Sequence, residues 1–471
     1  MRKALLMVAI ALATRSTAQV NMDTIVESAG RIMTDNQPND ELSIGVIKDG
    51  KVYKYNFGTK VTPTSQTIYE IGSITKTFTT YLLTKAVVDG KASLDDDIRK
   101  YLKEPYPNLQ YQGTPVTLKN LVNWTSSLPN NIPDVTLLKD KFPADSIPRE
   151  IVKLNEHYTK EDFLRDLHQV TLATKPGSTP AHSNAANQLL GFILENIYKM
   201  PYEVIVKKYI TGPLNMSNTG ITLTTQQLTR RAEGYDDKGL KEPHIPLFNG
   251  AAGAMKSCLD DMLKYIAFQL DESNPAVMMT HKAAWGDPQQ FAIGLNWFLG
   301  TFEGKRRVNM DGTTFGFTSY CLLYPELHFG VMVMTNECVN NSSIQDKTEA
   351  IANKIFVESN YTPEERTDDA FGFSKNIKRL AKTGDTTGLD ENEVNYWAYS
   401  LLRKGKSEYA LKIFQLNTQL HPDSWNVYDS EAEAYEDMGD KANAVKFYKR
   451  SLELNPKNTN ADDHLKKLGA L

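Results

Sequence analysis

Cysteine is scarce in this chain: Cys258, Cys321 and Cys338 are the only three in 471 residues, an odd number at wide spacing. That pattern excludes a disulfide framework and a cysteine-based zinc site, and leaves three half-buried thiols as the expectation. Long apolar runs are scarce too. The one at residues 4–13 follows Arg2 and Lys3 and gives way to Ser16, Thr17 and Ala18. It is too short to span a bilayer and has the charge, length and small-residue exit of a secretory signal over residues 1–18. No cysteine stands near that exit, so a lipid anchor there is not expected. The expected product is an exported protein, periplasmic or secreted, with no transmembrane anchor. Positive charge is not in excess either: the net charge is −4, and about −7 once Arg2, Lys3 and Arg15 leave with the signal. A chain so charged is not expected to partner nucleic acid. Its His and Asp positions form no ligand-spaced cluster, and neither a metal nor an organic cofactor is expected.

What remains is an ordinary globular composition, 41% hydrophobic and 23% charged, with length enough for two domains. The chain divides at residues 359–390. Pro363-Glu364-Glu365-Arg366 and Thr383-Gly384-Asp385-Thr386-Thr387-Gly388 are breaker clusters, with a short amphipathic piece at 377–380 between them. Beyond this linker five pairs share a single spacing: Gly405 and Gly439, Ala410 and Ala444, Phe414 and Tyr448, Leu420 and Leu454, and Pro422 and Pro456. That spacing is the tetratricopeptide period. Residues 391–468 therefore resemble a pair of such repeats, at 391–422 and 424–456, with a closing helix at 461–468. Two repeats are few for independent stability, so they are expected to dock on the main domain. Their groove would accommodate a protein partner's peptide, and a packing or dimerisation role fits equally.

Residues 22–358 form the main domain. Strand-like residues 43–48 and 51–55 flank Asp49-Gly50, a two-residue hairpin turn. A second antiparallel pair spans 318–324 and 330–334 around Pro325-Glu326-Leu327-His328. Helical patterns such as 185–199 and 260–270 fill the interval. Strands at both ends with a helical middle predict an α+β domain, an antiparallel sheet closed by early and late chain segments with a helical insert beside it.

Within it, Ser73-Ile74-Thr75-Lys76 stands where the strand pattern 67–71 hands over to an apolar helix running to Gly90. Residues three apart share a helix face, so Lys76 reaches back to the Ser73 hydroxyl. A serine needs a neighbouring base, and a lysine held away from water becomes neutral enough to serve. By itself the spacing fits equally a serine N-cap followed by a solvated lysine.

Further motifs follow in order: Trp124-Thr125-Ser126-Ser127-Leu128-Pro129, Pro176-Gly177-Ser178, His182-Ser183-Asn184 with Gln188-Leu189-Leu190-Gly191, and Pro213-Leu214-Asn215-Met216-Ser217-Asn218-Thr219. Gly253 with Asp260-Asp261-Met262, and Gly312-Thr313-Thr314-Phe315-Gly316-Phe317, complete the series. The ensemble resembles the serine β-lactamase and penicillin-binding-protein superfamily, nearest its class C-related hydrolases. The resemblance implies a β-lactamase/transpeptidase-like fold with a helical subdomain and an acyl-enzyme formed on Ser73 from an ester, amide or lactam. It further implies Lys76 as base, an oxyanion hole from the Ser73 and Thr313 amides, and Asn184 as an orienting carboxamide beside Gly312 and Thr313 at the substrate.

Two departures stand out. His182 occupies the place of the family's tyrosine, and Met310-Asp311-Gly312 begins with methionine where relatives carry lysine or histidine. Histidine can shuttle the proton, which predicts a pH limb near an imidazole pKa. Methionine cannot hold a carboxylate. By strand alternation Asp311 turns away from the face of Met310 and Gly312 and makes a poor substitute. A small-molecule or peptide-like acyl substrate that is neutral at this end is therefore expected, or else a ligand-binding module that turns nothing over. Trp124, where relatives carry histidine, is expected chiefly to fill the core.

Overall fold

The structure, a computed structural model, describes residues 21–34, 41–288, 291–302, 304–338 and 343–361, then 391, 394–395, 398–399, 402 and 407–470. The signal segment 1–18 and most of the linker, including its amphipathic piece at 377–380, lie outside the described residues. Two compact units divide after Tyr361, just beyond the expected end of the main domain.

The first unit is α+β. Its strands are β1 (Glu41–Lys48), β2 (Lys51–Gly58), β3 (Ile68–Glu70), β4 (Gln110–Tyr111), β5 (Thr114–Pro115), β6 (Lys256–Cys258), β7 (Trp285–Asp287), β8 (Phe291–Ile293), β9 (Phe298–Phe302), β10 (Lys305–Thr313), β11 (Thr318–Tyr324) and β12 (Phe329–Thr335). Eight of them make one antiparallel sheet in the order β2-β1-β12-β11-β10-β9-β8-β7. The early hairpin turns on Asp49 and Gly50 at φ 50° and 75°, as a two-residue turn between right-twisted strands requires. Chain ends close the sheet as expected, Leu42 lying opposite Thr335 and Ile47 opposite Gly330.

Both faces of the sheet are covered, so β11 and β12 are buried at every position. Tyr320, Leu322 and Tyr324 alternate onto one face, where they pack with the helices Met22–Thr34 and Ser343–Asn360. There Tyr324 stacks on Phe356 with ring centroids 3.7 Å apart. Cys321 and Leu323 turn to the other face, against the helices Thr75–Val88 and Leu259–Leu270. The helix Thr75–Val88 is buried nearly all round, which its threonines tolerate by bonding locally: Thr77 donates to the Ile74 carbonyl at 2.7 Å and Thr84 to that of Tyr81 at 3.1 Å. All three cysteines are buried rather than half-buried, because Cys258 and Cys321 lie in strands with no exposed position and Cys338 turns in toward the domain interior.

The second unit is helical, with helices Ser407–Leu420, Trp425–Asp437, Lys441–Leu454 and Thr459–Lys467. Ala410 and Phe414 are buried in one cluster, and their counterparts one period later, Ala444 and Tyr448, in the next. Among the described residues no helix is long and apolar enough to cross a membrane.

Candidate active site

The chain enters the site from β3. Buried Glu70 is followed by a short 3-10 turn, Gly72–Ile74, that runs into the helix Thr75–Val88. Gly72 is at φ +50°, and a Cβ there would stand 2.4 Å from the Thr313 amide nitrogen. Only glycine lets the turn lie this close to β10, which sets the backbones of Ser73 and Thr313 side by side. Gly312 serves the same approach from the other side, since a Cβ on it would lie 2.1 Å from the Ile71 carbonyl oxygen. Gly312 thus makes a close contact within the scaffold, while its neighbours Asp311 and Thr313 line the cavity.

Ser73 is not the helix N-cap: that place falls to Ile74, without a side-chain cap. Instead Ser73 Oγ accepts a hydrogen bond from Lys76 Nζ at 2.7 Å. Lys76 is wholly buried, and its amine also donates to Asn184 Oδ1 and the Ala252 carbonyl, each at 2.8 Å. Burial pushes its pKa from 10.5 down to about 7, with the Asp311 charge working in the opposite direction. The solvated first-turn lysine is thus ruled out.

Asn184 opens the helix Asn184–Tyr198, whose N-cap Ser183 accepts from the Ala186 amide at 2.9 Å and donates to the Pro129 carbonyl at 2.7 Å. Its carboxamide nitrogen donates to Asn131 Oδ1 at 3.1 Å. Backbone bonds from Ala181 to Trp124 and from Ala185 to Asn130 zip this segment to the loop 124–131. His182 is thereby held at the cavity, its Nδ1 bonded to Asn130 Oδ1 at 2.8 Å rather than to Ser73. Surrounding protein and the Lys76 charge hold its pKa well below the ordinary imidazole range. One side of the ring remains exposed and water blunts the effect, yet the direction leaves His182 neutral at pH 7. That direction runs against a limb near an ordinary imidazole pKa. Trp124, half-buried, packs edge-on to His182 and Phe298 and donates to Asn296 Oδ1 at 2.9 Å, so it backs the site as well as filling the interior.

Ser73, His182, Asn184, Ile245, Asn249, Ala252, Gly253, Asp311 and Thr313 line one cavity of about 310 Å³. Met310 does not belong to it, being 2% exposed in the core. Asp311 does belong, contrary to expectation. The alternation itself holds, for Met310 and Gly312 share the inner face. But β9 pairs with β10 only as far as Asn309, so Met310–Thr313 forms an open edge at which Asp311 meets the cavity. A second residue the sequence reading missed is Glu70. Its Oε1 accepts from His244 Nδ1 at 3.0 Å and from the Ile245 amide at 3.1 Å, fixing the wall that Ile245 contributes. A carboxylate three residues before the serine, in a strand otherwise apolar, was the available signal.

Beside this cavity lies a second of about 270 Å³, sharing Asn184, Ile245, Asn249 and Thr313 and continuing over Ile132, Pro133, Val135, Ile151 and Phe315. Among the described residues no group of three or more His, Cys, Asp or Glu side chains could hold a metal ion.

Known proteins resemble much of this chain. The chain is 29% identical to Protein flp of Staphylococcus aureus strain N315 over 340 residues, 68% of this chain and 64% of that protein's length. It thus spans just under two thirds of this relative. Against the D-alanyl-D-alanine-carboxypeptidase/endopeptidase AmpH of Escherichia coli K12 it is 28% identical over 295 residues, covering 59% of this chain and 73% of the other. The beta-lactamase/D-alanine carboxypeptidase of Yersinia pestis superposes with a TM-score of 0.60 at 22% identity, over 71% of this chain and 97% of that one, which speaks for the fold. Residues 35–354, from just before β1 into the helix after β12, match the Beta-lactamase family, and it is to this family that the chain belongs.

Proposed function

We propose that the protein is an exported serine hydrolase that cleaves an ester, amide or lactam through an acyl-enzyme on Ser73. One observation carries the reading: a buried lysine with its pKa lowered to about 7 stands 2.7 Å from the hydroxyl it would activate. At neutral pH about half of the Lys76 side chains are uncharged and able to accept a proton. In acylation Ser73 Oγ bonds to the carbonyl carbon and its proton moves to Lys76 Nζ. The oxyanion is held by the Ser73 and Thr313 amides. As the bond to the leaving group breaks, that proton passes on to it. Hydrolysis repeats the sequence with water as nucleophile and Ser73 as leaving group.

Asn184 fixes Lys76 through its carbonyl and turns its amide edge to the cavity wall. His182, neutral and held at Nδ1 by Asn130, keeps Nε2 as an acceptor that orients water or relays the leaving-group proton. The adjoining cavity, apolar with amide rims at Asn131, Asn155 and Gln188, suits an uncharged acyl or leaving group. With Met310 in the core, no cation at that position anchors a carboxylate. The helical C-terminal unit is proposed as a tetratricopeptide pair that serves as an accessory and offers a surface for a protein partner.

The test is intact-mass measurement after incubation with a fluorophosphonate, alongside p-nitrophenyl ester hydrolysis. One adduct per chain and ester turnover are expected, both lost in Ser73→Ala. Absence of adduct in the wild type after prolonged incubation replaces this reading with that of a ligand-binding module.

A further inference from the structure

We propose that Ile245 is the partition that sets which acyl groups the site accepts, and that Glu70 is the positioning residue that holds it in place. The inference rests on the hydrolase reading above and adds its selectivity for acyl size. The catalytic cavity and the one beside it share Asn184, Ile245, Asn249 and Thr313, of which Ile245 is the apolar one. Asn184 is tied to Lys76 and Thr313 to the sheet, so neither yields without disturbing the nucleophile. The tip of Ile245 stands over Gly253, where an added Cβ would lie 3.6 Å from its Cδ1. An acyl group that outgrows the first cavity therefore enters the second past this side chain.

Ile245 lies in an irregular stretch, Glu242-Pro243-His244-Ile245-Pro246, whose two prolines remove backbone donors and stiffen the chain. At its margins the Glu242 amide donates to the Gly234 carbonyl at 2.9 Å and the Asn249 amide to that of Pro246 at 3.2 Å. Between them the tie is to Glu70 Oε1, which accepts from the Ile245 amide at 3.1 Å and from His244 Nδ1 at 3.0 Å. The His244 ring lies over buried Phe317, with centroids 5.9 Å apart. Glu70 is itself buried in β3, opposite Lys256, whose buried side chain feels its charge. The carboxylate is thus balanced from within the core, and what it offers the loop is an acceptor in a fixed place. Glu70 also precedes Ser73 by one short turn of the same chain, so the nucleophile and the partition are referenced to a single backbone.

The experiment uses the full-length protein with p-nitrophenyl acetate and hexanoate, and reads the hexanoate-to-acetate ratio of kcat/KM within each preparation. Ile245→Ala should raise that ratio about tenfold and Ile245→Phe lower it about tenfold, as expected for a few methylenes in an apolar passage. Glu70→Met keeps the length of the side chain but offers no oxygen acceptor. It should raise the ratio by about threefold or more, chiefly through KM for the hexanoate. Glu70→Gln, whose carbonyl still accepts, should stay within about twofold of wild type. In an Ile245→Ala background Glu70→Met should add little, because the side chain it positions is gone. Amide hydrogen exchange gives a second readout: the Ile245 amide should be protected in wild type and exposed in Glu70→Met.

An unchanged ratio in both Ile245 variants overturns the partition. A Glu70→Met effect that is undiminished in the Ile245→Ala background, or matched by Glu70→Gln, overturns the positioning role. Should Glu70→Met fail to fold, exchange in the wild type decides: a slow Ile245 amide supports the tie and a rapid one overturns it. Each of these outcomes leaves the hydrolase reading standing, whereas no Ser73-dependent turnover of either ester by wild type overturns both.

Discussion

One wall of the cavity is built on a charge held inside the core, the other on a charge held at a strand margin. Lys76 is fully enclosed, fixed by three hydrogen bonds, and its environment changes what it is: an ammonium becomes a base near neutrality. Asp311 is half-buried on the stretch of β10 that lies beyond the end of its pairing with β9, and it lines the cavity. Full enclosure changes the protonation a charged group favours, whereas a place at a strand margin leaves it closer to water.

The largest effect should come from the enclosed side. Lys76→Met should lower kcat/KM by about 10²- to 10⁴-fold and erase the ascending limb near pH 7. It should also change stability, with the sign set by linkage. A lysine whose folded pKa is about 7 and whose ordinary value is 10.5 destabilises the fold most below pH 7, and the penalty fades as pH rises toward 10.5. The wild type should therefore gain about 2 kcal/mol relative to Lys76→Met between about pH 7 and 9 in urea unfolding. No such gain would mean that Lys76 is already neutral or already solvated.

Next is Met310→Lys, which puts an ammonium among core residues instead of in the cavity. Unfolding free energy should drop by about 3 kcal/mol, with no improvement in succinyl ester turnover. A stable variant that gains anionic substrates would show that position 310 does reach the site.

His182→Phe sharpens the contrast at the mouth of the cavity. A loss of about tenfold is expected, with the limb near pH 7 retained because Lys76 carries it. A limb that vanishes with His182 would return the titration to the imidazole. The smallest effect is expected from ending the chain after Tyr361. Ester hydrolysis should be unchanged and unfolding cooperative, as the division into two units implies.

Much of this was legible in the sequence. Both hairpins, the handover from β3 to the Ser73 helix and the closure of the sheet by its two ends follow from local alternation and turn residues, which neighbours did not override. The strands β7 to β9 were not legible, because such short segments between turns carry too little period to distinguish strand from loop. At the site, Ser73 and Lys76 share one motif and Asn184 sits in another, and the structure brings the three side chains together at Lys76 Nζ. Asp311 was misjudged for a different reason. Alternation gives the face of a residue, but where its neighbouring strand stops is a property of the pairing, and no local pattern near Asp311 reports that β9 turns away at Phe298. For His182 no local pattern signals a lowered pKa, since the lowering arises from protein packed around the ring and from Lys76.

The pairing of β1 with β12 also governs the order of assembly. Leu42 lies opposite Thr335, so the strand made among the first must wait for one made near the end of the unit before it has a neighbour on that side. Long-range closure of this kind is slow, and until it happens the apolar strand β1 depends on its hairpin partner alone. The C-terminal helices face no such delay, because each packs on the next along the chain. A refolding experiment should accordingly show two phases, a fast gain of helix from the second unit and a slow one in which Ser73, Lys76 and Thr313 come together only when the sheet is closed.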